Sequence, residues 1–229
     1  MSEQYDYNAR LAELKMGVDI TFRTILEPFI FENIKEYIGT KTIANLLDVG
    51  CGCGYLMAEI KKKFPLLNVH GIDISTAAIE CARANFDLRF EQRDIVDLNE
   101  NDQFDIVVYN MVLHNLQALE PTILKTSRIL KTNGIVLITI PHPAFWLEDK
   151  VSQGKIVLDK PFDHRCECLY QIPFKIANGR QHHTKLTYYH RMLSTYLNIF
   201  SNYLSIMKFE EVDLKNGFPT MLNIVLKKN

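Results

Sequence analysis

The sequence predicts an α/β fold with a mostly parallel sheet, and three observations lead to this prediction. From residue 42 onward, short apolar segments alternate with amphipathic segments of helical length, which is the pattern of successive βαβ units. The first apolar segment contains Asp48 and runs into a turn of three alternating glycines, Gly50, Gly52 and Gly54. A second apolar segment ends in Asp73. Ligands of such sheets bind at the carboxyl ends of the strands, where these residues are predicted to lie.

Residues 1–40 are predicted to be helical. Their apolar side chains recur at spacings of three and four, as in an amphipathic helix: Ile20, Phe22, Ile25, Leu26, Phe29, Ile30, Ile34 and Ile38. Pro28 is expected to kink this helix or to begin a second one. The segment is either a lid over a ligand site or a helix packed permanently on the sheet, and amphipathicity does not distinguish the two.

The central part of the chain is predicted to supply five strands and three helices. The strands are expected at residues 43–49, 69–73, 88–91, 104–110 and 135–140, and the helices at 55–64, 75–84 and 119–130. Ser75 is a suitable N-cap for the second helix. Asn133 and Gly134 are expected to close the third helix, and Pro141 to end the fifth strand.

The remaining residues interrupt this alternation. Strand-like stretches at residues 167–176 and 184–189 flank Asn178-Gly179, a dipeptide typical of β-hairpin turns. A helix from about residue 190 to 207 and strands at 209–214 and 221–227 would then complete a seven-stranded sheet. His182 and His183 are expected to lie at a solvated hairpin tip.

The glycine spacing discriminates between nucleotide ligands. A dinucleotide fingerprint needs Gly-x-Gly-x-x-Gly, in which the third glycine opens the helix against the pyrophosphate. Counted from Gly50, that third position is Tyr55. NAD therefore fits this turn poorly.

The pattern Asp-x-Gly-x-Gly-x-Gly instead resembles the first motif of class I S-adenosylmethionine (SAM) methyltransferases. The second strand ending in Asp73, the stretch Gln92-Arg93-Asp94-Ile95 and the fourth strand ending in Asn110 resemble later elements of the same family. The resemblance spans about residues 40 to 142, together with the final helix and strands. It implies a Rossmann-like seven-stranded, mostly parallel sheet flanked by helices, with a β-hairpin cap insertion. It also implies SAM as cofactor and S-adenosyl-L-homocysteine (SAH) as product.

The resemblance further implies a division of the chain and a set of cofactor contacts. The N-terminal helical lid would be residues 1–40, the SAM-binding core 41–142, the substrate cap 143–189, and the C-terminal helix and strands 190–229. Asp73 would accept hydrogen bonds from the ribose hydroxyls, Asp94 would bind the adenine amino group, and Ile95 would lie against the adenine ring. Asp48 would reach the amino-acid ammonium, directly or through water, or would only brace the turn. The full predicted set is Asp48, Gly50, Cys51, Gly52, Gly54, Asp73, Ile74, Asp94, Ile95, Asn110 and Met111.

The candidates on the acceptor side are His114, His142, Tyr189, His190 and Arg191. A histidine can remove a proton from an oxygen or nitrogen nucleophile, because its usual pKa of about 6.5 suits that task. Each of these histidines can equally brace a turn, and Arg191 can hold an acceptor carboxylate or an internal ion pair. The stretches 141–145 and 189–196 resemble a bacterial group described only as methyltransferase domain proteins, which names no substrate.

Composition restricts the function classes. Of 229 residues, 47% are hydrophobic and 23% charged, as in globular proteins. The 26 basic and 27 acidic side chains give a formal charge of −1, which disfavours a nucleic-acid partner. No signal-like or membrane-spanning apolar run occurs, so a cytoplasmic location is expected. The protein is expected to be a monomer or a homodimer. The five cysteines are expected to be reduced, and the Cys51/Cys53 and Cys166/Cys168 pairs have the wrong spacing for zinc, so no metal is predicted.

The sequence therefore predicts a SAM-dependent methyltransferase that acts on oxygen, nitrogen or carbon of a small molecule. The alternatives are an RNA or protein methyltransferase and a non-catalytic SAM-binding module. Against the first, the fourth strand is followed by Met111-Val112 and lacks the Asn/Asp-Pro-Pro-aromatic sequence of enzymes that methylate amino groups of nucleic acids.

Overall fold

The computed structural model describes residues 6–39, 43–99, 103–158, 161–175, 181–215 and 217–229. Its strands, numbered in chain order, are β1 (Asn45–Val49), β2 (Asn68–Asp73), β3 (Arg89–Gln92), β4 (Phe104–Asn110), β5 (Leu130–Pro141), β6 (Cys168–Lys175), β7 (Gln181–His190), β8 (Ser205–Lys215) and β9 (Phe218–Lys227). The helices are α1 (Tyr7–Met16), α2 (Glu27–Ile38), α3 (Tyr55–Lys63), α4 (Thr76–Asn85), α5 (Leu119–Ile129), α6 (Trp146–Ser152) and α7 (Leu193–Tyr203).

Seven strands form one sheet in the order β3-β2-β1-β4-β5-β9-β8. The first five strands in this order are parallel to one another. Strand β9 is antiparallel to both β5 and β8. The chain moves outward from β1 in one direction to β2 and β3, and in the other direction to β4 and β5. This reversal places a ligand crevice at the carboxyl end of β1. The predicted fold class is confirmed.

Helices cover both faces of the sheet. The apolar sides of α1 to α4 share one buried cluster, whereas α5 and α7 pack on the other face. A π-helical turn, Phe22–Leu26, leads directly into α2, and Pro28 lies in the first turn of α2. Ser75 caps α4 as predicted, because its hydroxyl accepts a hydrogen bond from the Ala78 N–H at 3.3 Å. None of the helices in the described ranges is long and apolar enough to cross a membrane.

The prediction that Asn133 and Gly134 close a helix is wrong. Helix α5 ends at Ile129, and β5 already pairs with β4 through Leu130 before its main ladder resumes at Ile135. Asn133 has a φ of 62°, so the intervening residues bulge out of the ladder. A Cβ on Gly134 would lie 2.8 Å from the Leu130 side chain and from a backbone carbonyl, which explains the glycine.

A separate two-stranded unit lies between the fifth strand and the last helix. It consists of β6 and β7, paired antiparallel as predicted, while the Asn178-Gly179 turn lies outside the described residues. Its buried core joins Tyr170, Ile172 and Tyr188 to Leu147 of α6, a helix that the sequence did not predict. We call α6, β6, β7 and the described residues between them, within residues 146–190, the cap.

Helix α7 begins at Leu193 rather than near residue 190. The preceding strand continues to His190, and the Glu167 carboxylate then accepts hydrogen bonds from the Met192 N–H at 2.9 Å and from the Thr195 hydroxyl. Because a carboxylate satisfies N–H groups at the start of a helix, Glu167 ties the cap to the beginning of α7.

Candidate functional site

The glycine turn connects the end of β1 to α3 at the centre of the sheet. Gly50, Gly52 and Gly54 have φ values of 72°, 53° and 77°, which residues other than glycine rarely adopt. A Cβ on Gly50 would lie 2.5 Å from Val112, whereas a Cβ on Gly52 would meet, among the described residues beyond its chain neighbours, only the Tyr7 ring at 4.0 Å. Gly50 thus permits close packing inside the protein, and Gly52 leaves backbone exposed for a ligand.

Two carboxylates adjoin this turn. Asp73 fastens it to β2, because its Oδ2 accepts a hydrogen bond from the Gly52 N–H at 3.0 Å while its Oδ1 accepts one from the Ser75 N–H at 2.9 Å. Asp48 is only 2% exposed, and no described residue donates a hydrogen bond to its carboxylate. Burial, and secondarily the charge of Asp73, raises the pKa of Asp48 to about 8. A buried carboxylate without a donor fits the ammonium of an amino-acid ligand.

The predicted adenine contacts lie along the ends of β2 and β3. Ile74 is 66% exposed directly after Asp73, as suits an apolar surface for a ring. Asp94 is exposed and caps a short 3₁₀ turn through the Val96 N–H at 3.1 Å, whereas Ile95 is buried in the core. The roles of Asp94 and Ile95 at adenine stay predictions.

The loop after β4 borders the glycine turn. Asn110 accepts a hydrogen bond from the Thr139 hydroxyl at 2.7 Å, and Met111 has a φ of 60°. Such left-handed backbone at a side-chain-bearing residue is uncommon and concentrates at functional sites. Because Val112 packs against Gly50, this loop joins the glycine turn to the segment that carries His114.

His142 has both ring nitrogens engaged. Its Nδ1 accepts a hydrogen bond from the Ala144 N–H at 3.2 Å, so Nε2 carries the proton and donates to Glu211 Oε1 at 2.9 Å. The ring also stacks on Phe145 with a centroid distance of 4.7 Å. This geometry favours a bracing role between the end of β5 and β8, and catalysis by His142 stays a prediction.

His114 and His190 both lie beside Tyr188. Their ring centroids are 5.8 and 6.3 Å from that of Tyr188, and the Nδ1 atom of each is buried without a hydrogen-bond partner. His190 Nε2 lies 2.9 Å from the His164 carbonyl and therefore donates, which leaves Nδ1 with a lone pair. Burial lowers the pKa of both histidines, that of His114 to about 3, so both imidazoles are neutral at pH 7. His114 is consequently a weak base but a competent hydrogen-bonding group.

Arg191 holds the loop that follows His114. Its Nη2 donates to the carbonyls of Leu116 and Gln117 at 2.6 and 2.8 Å, and its guanidinium lies 5.5 Å from the Tyr189 ring centre. These contacts engage Nη2 within the protein, whereas Nη1 is buried without a hydrogen-bond partner among the described residues, so capture of an acceptor carboxylate by Arg191 stays a prediction. Tyr189 and Arg191 together connect the cap to the loop after β4.

The cysteines divide between two places. Cys51 and Cys53 are buried in the glycine turn, whereas Cys166 is exposed in the cap and Cys168 is half-buried there. Burial raises the pKa of Cys53 to about 11, which keeps its thiol protonated. Within the described ranges, no group of three or more histidine, cysteine or acidic side chains is arranged to hold a metal ion.

Sequence reasoning missed one residue of the site altogether. Tyr7, in the first turn of α1, approaches the glycine turn over Gly52. No motif marked it, since it lies far from the turn in the chain and outside the apolar stripe that was used to predict the N-terminal helix.

Comparison with known proteins identifies the family to which this chain is related. Residues 41–193 match a family model described as a methyltransferase domain. The chain is similar to the malonyl-[acyl-carrier protein] O-methyltransferase of Acetivibrio thermocellus, with 29% identity over 132 residues that cover 55% of this chain and 47% of that protein. It is 30% identical over 111 residues to the trans-aconitate 2-methyltransferase of Deinococcus radiodurans, covering 48% and 42% respectively.

The chain thus spans less than half the length of these two curated relatives. Acceptors named for the matched relatives range from small acids to ribosomal RNA. Among solved structures, a SAM-dependent methyltransferase from Clostridium acetobutylicum has a TM-score of 0.69 at 16% identity, covering 98% of this chain and 99% of that one. At this identity the likeness shows a shared fold.

Proposed function

Because the chain belongs to the methyltransferase domain family, we propose that it is a SAM-dependent enzyme that transfers a methyl group to oxygen, nitrogen or carbon of a small-molecule acceptor. The family match confirms the resemblance that the motifs indicated. When bound, SAM supplies a methyl group on a positively charged sulfur and leaves as SAH.

The Asp48 carboxylate is the main observation in favour of SAM as the cofactor. It is buried beside the glycine turn with no donor among the described residues, although burying a carboxylate without a partner is costly. An ammonium group of the ligand would supply a positive charge and N–H donors to the Asp48 carboxylate, which receives neither from the described residues. The residues present therefore fit SAM.

The other residues of the site would bind SAM and orient it. Asp73 keeps lone pairs for ribose hydroxyls while its backbone hydrogen bonds hold the glycine turn in place. Ile74 offers an apolar surface beside Asp73 for the adenine. Methyl transfer is an in-line displacement, so a site that aligns the nucleophile with the methyl group can supply much of the rate.

The residues of the cap favour a small-molecule acceptor. Its aromatic core reaches the loop after β4, since Trp146 stacks on Tyr188 at 5.7 Å and Tyr188 contacts His114. An aromatic enclosure with a few neutral hydrogen-bonding groups suits a small, partly polar molecule. The formal charge of −1 offers no general attraction for RNA.

Two measurements test this function. Isothermal titration calorimetry with SAM and with SAH should detect binding of both, whereas absence of both would refute the cofactor assignment. Incubation of the enzyme and labelled SAM with a metabolite mixture should then transfer label to a small molecule. Label found only in added RNA or protein would support the macromolecular alternative, and binding without any transfer would support the non-catalytic module.

A further inference from the structure

Helix α1 is fastened over the cofactor side of the sheet. Its N-cap Asp6 accepts a hydrogen bond from the Ala9 N–H at 2.9 Å, and Gly17 ends it with a φ of 69°. The side chain of Asn8 lies 3.4 Å from the Cys81 thiol, and Lys15 Nζ donates to Asn85 Oδ1 at 3.1 Å. Both partners belong to α4, so α1 is held at its two ends and its first turn has a defined position.

Tyr7 bridges the glycine turn and the start of α4. Its Cε1 atom lies 4.0 Å from the position of a Cβ on Gly52, and, apart from Gly52 and its two chain neighbours, no other heavy atom of the described residues lies so near that position. Its hydroxyl interacts with Ser75, the N-cap of α4. Burial raises the pKa of Tyr7, the interaction with Ser75 lowers it, and the nearby charge of Asp73 contributes in the same direction as burial. The Tyr7 side chain therefore lies close enough to the carboxylate assigned to the ribose to be affected by its charge.

We propose that Tyr7 is a cofactor-contacting residue and that its ring covers the ribose side of the SAM site above Gly52 and Asp73. The inference rests on the proposed function and extends it, because Tyr7 lies outside the region that matches the family. Covering the Asp73 carboxylate excludes water from it, and hydrogen bonds to an ion strengthen when water is excluded.

The location of the contact leads to a specific expectation. SAM and SAH share the ribose and differ at the sulfur, where only SAM is charged. A ring over the ribose stabilises both ligands to the same extent, whereas a ring over the sulfur would favour the cation by cation–π attraction. Loss of Tyr7 should therefore weaken the two ligands by the same factor.

Calorimetry on the full chain tests this inference. Tyr7→Ala should raise the Kd for both SAM and SAH about tenfold, which corresponds to loss of a partly buried aromatic contact. Tyr7→Phe, which keeps the ring, should raise both about two- to threefold by removing the interaction of the hydroxyl with Ser75. Lys15→Ala is the matched control, because it removes an α1–α4 hydrogen bond away from the ring and should leave both Kd values unchanged.

Hydrogen exchange gives a second measurement that does not depend on these variants. SAH should slow amide exchange in Tyr7–Met16 of the wild-type protein. Unchanged exchange there, unchanged affinity in Tyr7→Ala, or a loss confined to SAM would each overturn the inference. Wild-type protein that binds neither ligand would refute the proposed function, and that outcome is distinct from normal wild-type binding with an unaffected Tyr7→Ala variant.

Discussion

Replacing Asp48 with asparagine should stabilise the fold while it removes cofactor binding. The carboxylate is 2% exposed, lacks a described donor, and has a pKa raised from its usual 3.8 to about 8. A raised pKa means that the folded state holds the proton more tightly than the unfolded chain does. The contribution of Asp48 to stability is therefore fully present below pH 4 and is lost as the pH rises toward 8.

The size of the effect follows from these two pKa values. Each pH unit between about 4 and 8 weakens the folded state by about 1.4 kcal/mol, so keeping Asp48 buried costs of the order of 4 kcal/mol at pH 7. Asparagine has nearly the same shape and never ionises. We therefore expect Asp48→Asn to gain little stability at pH 4.5 and several kcal/mol at pH 8.

Urea unfolding of wild type and Asp48→Asn at pH 4.5, 6, 7 and 8 measures this difference. Asp105, a buried carboxylate on β4, provides the control because it accepts hydrogen bonds from Lys131 Nζ at 2.7 Å and from the Asn45 N–H at 2.9 Å. Asp105→Asn should destabilise the protein by about 1–3 kcal/mol through the weakened partners. A stability difference for Asp48→Asn that stays constant from pH 4.5 to 8 would refute the reasoning.

Three further predictions concern the site. Asp73→Asn should weaken SAH binding tenfold or more in calorimetry, because the neutral amide is a poorer acceptor for hydroxyl and N–H donors; unchanged affinity would remove its ribose role. His142→Ala should leave SAH affinity unchanged but lower the unfolding free energy by about 1–3 kcal/mol, since the contacts with Ala144 and Glu211 are lost; slower turnover without that loss would instead place His142 at the acceptor. The lowered pKa of His114 makes the fold lose stability as the pH falls from 6.5 toward 3, and His114→Leu should reduce this acid sensitivity in urea unfolding at pH 4 and 7; equal acid sensitivity would contradict its buried neutral state.

Much of the fold was predictable because strand–helix alternation is a local pattern. The three glycines, Asp48 and Asp73 follow strands directly in the chain, and parallel strands bring their carboxyl ends to one edge of the sheet. Errors arose where long-range pairing overrode a local signal. Asn133-Gly134 reads as a helix ending, yet pairing of Leu130 with β4 draws these residues into a strand.

The acceptor candidates could be named from the sequence but not sorted. The hydrogen bond of His142 Nε2 depends on Glu211 of β8, and the engagement of Arg191 Nη2 depends on carbonyls of the loop after β4. These partners are far away in the chain, so no local pattern reports them. The same holds for His114 and His190, whose Nδ1 atoms are buried near Tyr188 and have no hydrogen-bond partner among the described residues.

The sequence by itself determined the sheet, the glycine turn and the family, because strand periodicity, backbone torsion and the spacing of strand-end carboxylates are written in neighbouring residues. Only the tertiary structure decided that no described residue donates a hydrogen bond to Asp48, that Asp73 holds the glycine turn, and that Tyr7 lies over Gly52. Burial and hydrogen bonding between distant segments set these properties, since a side chain's charge state and partners depend on what folding places around it.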